Sequence, residues 1–200
     1  MIQTFDDLKA AVGRWLHRTD LAAAAEDFIT LYEARANRNL RVRQMEATYS
    51  QSVTAQRNSL PADWLEMIGK PTVGGKPQDF ITRDQFKLLD GTIPVFESGY
   101  FSIFGSQIAL NVDVSAGVTL AYDYYAKIPA LSATAQTNWL ITAAPDIYLY
   151  GSLLEAAPYL KDDPRIETWR GLLTVAMGDM QRASDQAKWS GGTLEVRNAQ

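Results

Sequence analysis

A helix that is apolar nearly all the way round leaves a chain few places to put it, and this chain has one. Pro145 suits a first helical turn, where the missing N–H is not needed. Ile147, Tyr150, Leu153, Leu154 and Ala157 recur at helical spacing, and Tyr148 and Leu149 carry apolar surface round to the other side. Such a helix must be buried in a core or between subunits. Pro158 kinks it or marks its last turn. Asp163-Pro164 then reads as an N-cap followed by proline at the first helical position. The helix it opens has the stripe Ile166, Trp169, Leu173, Met177 and Met180. After Trp189, Ser190-Gly191-Gly192 ends that helix, and residues 190–200 are expected to be a flexible C-terminal tail, too short to build packing of its own.

The N-terminal region reads as a second helical pair. Thr4 and Asp7 have the spacing of a capping box, and Phe5, Leu8, Val12, Trp15 and Leu16 share one face up to the basic His17-Arg18. Thr19-Asp20 is expected to cap a helix running to about Gln44, with Ala25, Phe28, Tyr32, Ala36 and Leu40 as its stripe. Glu33, Arg35, Arg38, Arg41 and Arg43 fall mostly off that stripe. From Ala47 to Lys127 the texture changes to Thr, Val, Tyr, Ile and Phe with Gly and Pro punctuation. Strands are predicted at 49–54, 100–104, 107–112 and 117–126, with a turn at Leu60 to Leu65 leading into a short element near Glu66 to Ile68, a hairpin turn at Gly74-Gly75 and a short helix capped by Thr82. In the last strand Val118, Leu120, Tyr122 and Tyr124 share a face. The expected fold class is α+β, mainly α. Residues 1–46 and 138–189 supply two helices each to one bundle, and 47–137 form an inserted, small antiparallel β-sheet region.

Two hundred residues fit one domain, or a core domain with an insertion. With 46% hydrophobic and 21% charged residues, the composition is globular rather than disordered or fibrous. There is no cysteine, which removes disulfides, thiolate nucleophiles and Cys-ligated zinc. The single histidine, His17, excludes a His-rich metal site, and any Ser–His hydrolase arrangement would depend on it. A net charge of -4 argues against chain-wide affinity for phosphates. The start MIQTFDDLKA carries acids where a signal peptide needs a basic and then an apolar run. No apolar stretch reaches the roughly 20 residues that span a bilayer, so the expectation is a soluble protein with no export signal.

No catalytic, cofactor or metal site is expected. His17, near Arg18 and Asp20, reads as a histidine at the negative end of a helix rather than a general base. Asp162-Asp163 could ligate a cation, but adjacent aspartates before a proline read as a turn and a cap; Asp6-Asp7 reads likewise. Gly74-Gly75-Lys76 lacks the phosphate-loop spacing and reads as a hairpin tip. Arg35, Arg38, Arg41 and Arg43, with Arg14 and Arg18, form the densest basic set. That set is either a solvated face or a subunit or partner contact, for which Arg35, Arg38 and Arg41 are the candidates. Tyr122, Tyr124, Tyr125, Tyr148, Tyr150 and Tyr159 read as core and interface packing rather than as a platform for bases or sugars. Thr193-Leu194-Glu195-Val196-Arg197 alternates apolar and polar, as a strand added to a partner's sheet edge would, or is a frayed terminus.

The segments FDDLKAAVGRWLHRTDL, DFITLYEARANRNLRVRQME, LPADWLE, YYAKIPALS, TNWLITAAPDIYLYGSLLEAAPYLKDD and KWSGG, spread from Phe5 to Gly192, resemble the head–tail adaptor (connector) proteins of tailed bacteriophages, especially those of short-tailed phages. The stretch from Pro71 to Ser115 matches least. The resemblance implies a helical bundle with a β insertion, assembled as a homo-oligomeric, typically dodecameric ring under the portal protein. It implies that the ring extends the DNA channel, that DNA passes through the lumen without specific binding, and that tail or nozzle proteins attach below. It further implies a structural virion protein of the head–tail junction, made in the host cytoplasm, with no enzymatic activity, cofactor or membrane partner. In related connectors the C-terminal segment reaches toward the portal, which by position assigns portal binding to Lys188, Trp189, Leu194, Val196 and Arg197. On physical grounds an acidic chain favours a lumen that does not grip DNA. A closing ring needs a heterologous interface, for which the helices around Tyr150 and Arg38 are candidate surfaces. The alternatives are another neck or tail completion protein docking below the adaptor, and a tail-associated hydrolase working through carboxylates such as Asp162 and Asp163.

Overall fold

The computed structural model describes residues 1–21, 23–89, 99–160 and 163–189. The helices are α1 (Phe5–Leu16), α2 (Ala25–Asn39), α3 (Arg83–Leu89), α4 (Trp139–Ala143), α5 (Pro145–Glu155) and α6 (Arg165–Trp189). The strands are β1 (Glu46–Val53), β2 (Arg57–Ser59), β3 (Trp64–Val73), β4 (Lys76–Pro77), β5 (Asp79–Phe80), β6 (Tyr100–Phe104), β7 (Gln107–Asn111) and β8 (Val118–Ala126). Two compact units result, residues 1–44 with 128–200 and residues 45–127.

The first unit is helical, with α5 as its hub. Ile147, Tyr148, Leu149, Gly151, Ser152 and Leu153 are all buried, and α1, α2, α4 and α6 pack against α5. Each large apolar side chain so buried contributes about 1.5–3 kcal/mol. The helix stops at Glu155, and Pro158 sits in a separate 3-10 turn, Ala157–Tyr159. α1 opens with the expected capping box: Thr4 Oγ1 accepts the Asp7 N–H at 3.1 Å, and the Asp7 carboxylate accepts the Thr4 N–H at 3.2 Å. Trp15, expected on the buried face, is 42% exposed and meets Tyr150 edge-on at 5.9 Å.

α2 is shorter than the 20–44 helix expected. Thr19–Leu21 is a separate 3-10 turn, and Ala24 precedes α2 without a side-chain cap. The chain turns extended at Leu40, which lets Leu40 and Val42, two residues apart, both be buried. No helix among the described residues is long and apolar enough to cross a membrane.

The second unit overturns the expected helical bundle with a small antiparallel sheet. It contains two four-stranded sheets, in the orders β1-β8-β3-β4 and β2-β7-β6-β5, so the fold is mixed α/β. The pairing is antiparallel except for β5 with β6, which is parallel. Val53, Val73, Leu120, Tyr122 and Tyr124 of the first sheet share one core with Phe101, Ile108 and Leu110 of the second. The missed strands are those whose sequence hides them. β2 is the polar run Arg57-Asn58-Ser59, and β4 and β5 are two residues each, with Pro77 in one. β3 has register shifts between Trp64 and Glu66 and between Ile68 and Thr72, and Gly69 and Pro71 break its alternation. Gly74 and Gly75, at φ 59° and 80°, make the expected β3–β4 turn.

Candidate functional site

In the helical unit α2 turns a carboxylate inward. Glu33 lies one turn beyond Ile29 on the face that packs against α5 and is 6% exposed. Its Oε1 accepts the Leu131 N–H at 2.8 Å and the Tyr148 O–H at 3.0 Å. The Tyr148 oxygen in turn accepts from Asn138 Nδ2 at 2.6 Å, and the same amide donates to Pro129 O at 2.6 Å. Asn138 Oδ1 caps α4 by accepting the Ile141 N–H at 2.9 Å, and Asn37 Oδ1 accepts the Ile128 N–H at 2.8 Å. These bonds seat the segment 128–138 between α2 and α5. Burial pushes the Glu33 carboxyl above the ordinary glutamate value, against the opposing pull of the bonds from Leu131 and Tyr148. Burial also raises the Tyr148 and Tyr32 hydroxyls. A charge satisfied in this way specifies one seat for the segment it holds. Reading Glu33 as off the stripe missed it; the available signal was its i+4 relation to Ile29.

The turn before α6 is a second clamp. Asp163 Oδ1 accepts the Arg165 N–H at 2.9 Å, and the carboxylate takes the guanidinium as a fork, Nε at 2.9 and 3.0 Å and Nη2 at 2.6 Å. Arg165 Nη1 also reaches Trp15 O at 2.9 Å, and the guanidinium lies 5.2 Å from the Trp169 ring. The Arg165 bonds hold the Asp163 carboxyl below the usual carboxylate range. Asp163 is thus a cap, and Arg165 ties the end of α1 to the start of α6. Asp162 lies outside the described residues.

His17 closes α1 in the left-handed region at φ 52°, its N–H directed to Arg14 O at 3.3 Å. It lines a cleft of about 710 Å³ with Arg18, Tyr159, Leu160, Asp163 and Arg165. Arg18 is itself bonded to Asp20 at 2.7 and 2.6 Å. Among the described residues no group of three or more histidines and carboxylates is placed to hold a metal.

The three candidate arginines of α2 have different surroundings. Arg35 makes an ion contact of 2.8 Å with the largely buried Glu155 of α5, without the alignment of a hydrogen bond. Arg41 Nη1 donates to Asn37 O at 3.0 Å and Leu40 O at 2.6 Å, so it serves the end of its own helix. Arg38 is exposed on the outward face, in line with Asp27, Leu31 and Ala34. Lys188 is exposed near the end of α6, whereas the Trp189 side chain and Leu194, Val196 and Arg197 lie outside the described residues.

In the β unit Tyr122 and Tyr124 are buried and Tyr49 is half-buried. Tyr49 stacks on Tyr122 at 4.8 Å, and Tyr124 donates its hydroxyl to Asp63 at 3.2 Å. Beside them is a cleft of about 600 Å³ lined by Tyr49, Gln51, Asn58, Leu60 and Tyr124 among others. Tyr122 and Tyr124 pack into the core of the sandwich, and Tyr49 is taken up on one face by Tyr122.

No curated protein matches the chain. A family model described as SU10 adaptor protein matches residues 3–197, nearly the whole of the 200-residue sequence. Because that model spans nearly the whole chain, the chain belongs to the SU10 adaptor protein family of phage head–tail adaptors.

Proposed function

We propose that this chain is the structural adaptor of a short-tailed phage. Its copies close into a ring under the portal protein, extend the DNA channel and give tail or nozzle proteins their platform. The match to the adaptor family over residues 3–197 is the observation that carries this. The most apolar helix, α5, is consumed inside its own unit, and the outer faces of α1, α2 and α6 remain for neighbours. A net charge of -4 keeps a lumen from gripping phosphate. The work is done by assembly, without a catalytic step or a cofactor. Asp163 does not favour the hydrolase alternative, because Arg165 takes up its carboxylate.

Within the assembly Lys188, Trp189, Leu194, Val196 and Arg197 contact the portal, and Arg38 meets the adjacent subunit. Arg35 and Arg41 act at the same boundary by fixing α2. Electron microscopy of the protein mixed with the portal of the same phage tests the proposal. A continuous added ring beneath the portal is the expected result and counts the subunits. No added density under assembly conditions refutes it and points to a protein further down the tail.

A further inference from the structure

α2 and α6 each lay one face on α5, so each turns the opposite face outward. On α2 that face carries Asp27, Leu31, Ala34 and Arg38, all exposed, at intervals of four, three and four residues. On α6, read in the reverse direction, it carries Arg182, Gly178, Val175 and Gly171, all exposed, at the same intervals. Leu31 is 53% exposed and Val175 is 61% exposed, and both sit at the middle of their rows. Set antiparallel, the rows match position by position. Asp27 meets Arg182, Leu31 meets Gly178, Ala34 meets Val175, and Arg38 crosses Gly171 with Glu167 one turn further on. Leu31 and Val175 each face a small residue, Asp27 faces Arg182, and Arg38 lies a turn from Glu167. The present partners of Arg182 and Glu167 are Asp179 and Arg170, exposed neighbours on the same helix, and such pairs are readily exchanged.

The glycines point the same way independently. Glycine within a helix is less favourable than alanine, so it needs a reason. Gly151 has one inside the chain, because a Cβ there would run into the Tyr32 ring. Gly171 and Gly178 have none: a Cβ on either would meet no atom within 4 Å among the described residues. Their place on the outward face is explained by a second helix that approaches closely.

We propose that the outward face of α2 on one copy packs antiparallel against the outward face of α6 on the next. The two faces are different surfaces of one chain, so every copy offers one of each, and the contact is head-to-tail, as ring closure requires. This rests on the ring assembly proposed above.

The absence of native cysteine makes the test clean. Ala34→Cys and Val175→Cys variants of the full chain are assembled on the portal of the same phage and run on non-reducing gels. Each single variant alone is expected to stay uncrosslinked, the two mixed to give disulfide dimers, and the double variant to give a ladder. Rings visible on the portal without a ladder overturn this interface and leave ring assembly standing. No ring from the unaltered chain overturns ring assembly and the interface with it. Dimers from one single variant alone overturn the head-to-tail arrangement. As a second arm, Gly178→Leu is expected to melt no lower than the parent while ring formation falls about tenfold or more, from overpacking at the contact. Undiminished assembly of that variant overturns the close approach.

Discussion

Replacing Gly151 by alanine sets two helix effects against each other. In α5 the change favours the helix by about 1 kcal/mol, since alanine is the better helix former. The surroundings oppose it. The added Cβ would lie under 3.0 Å from Cδ2, Cε2 and Cζ of Tyr32, closer than real Cβ atoms come. The ring would have to retreat by roughly 1.5 Å to regain ordinary contact. Tyr32 is 1% exposed and meets Tyr148 edge-on at 6.0 Å, and Tyr148 is held by Glu33 and Asn138. A ring seated against a bonded neighbour has little room to yield, so the overpacking cost lies at the upper end of its usual range, about 3 kcal/mol. The net expectation is a loss of about 2 kcal/mol, or a melting midpoint lower by about 4–8 °C for a chain of this size. Gly171→Ala is the control, because it makes the same chemical change with open space around it and should gain up to about 1 kcal/mol. Thermal and urea unfolding of the isolated chain read both. A Gly151→Ala variant as stable as the parent, or a shift in the same direction for both variants, refutes the packing account.

Three further outcomes are expected. Because burial raises the folded Glu33 carboxyl, its stabilising contribution is fully present below the unfolded glutamate range and is lost as pH rises through the folded value. The unfolding free energy of the parent minus that of Glu33→Gln should therefore fall with rising pH, read by urea titrations at stepped pH; a constant difference counts against the burial account. Arg165→Lys keeps the charge but not the fork on Asp163, so it should lose most of the roughly 1–2 kcal/mol that Arg165→Ala loses. Full stability in the lysine variant would show that charge alone is at work. Deleting residues 190–200 should leave the melting midpoint unchanged and abolish portal binding in a pull-down; unchanged binding removes the tail from the portal contact.

Local signals were the legible ones. The Thr4–Asp7 capping box needs only residues three apart, and the all-round apolar character of α5 announces burial whatever covers it. Strands β1, β6, β7 and β8 were legible from their alternation, but the division into two four-stranded sheets was not, because β2, β4 and β5 exist through their partners and the irregularities of β3 erase its alternation. Glu33 was misread for a related reason. Its donors, Leu131 and Tyr148, lie 98 and 115 residues away, and without them a glutamate belongs in water. The glycines make the same point more sharply. In sequence Gly13, Gly151, Gly171 and Gly178 are alike, four glycines within helices, each unfavourable where it stands. Only the fold separates them, since Tyr32 fills the space above Gly151 and nothing described fills the space above the others. Gly13 of α1 is open too, but it stands alone and half-buried, whereas Gly171 and Gly178 are exposed and share one face of α6. That pairing on one exposed face is why the proposed contact with the next copy is put on α6.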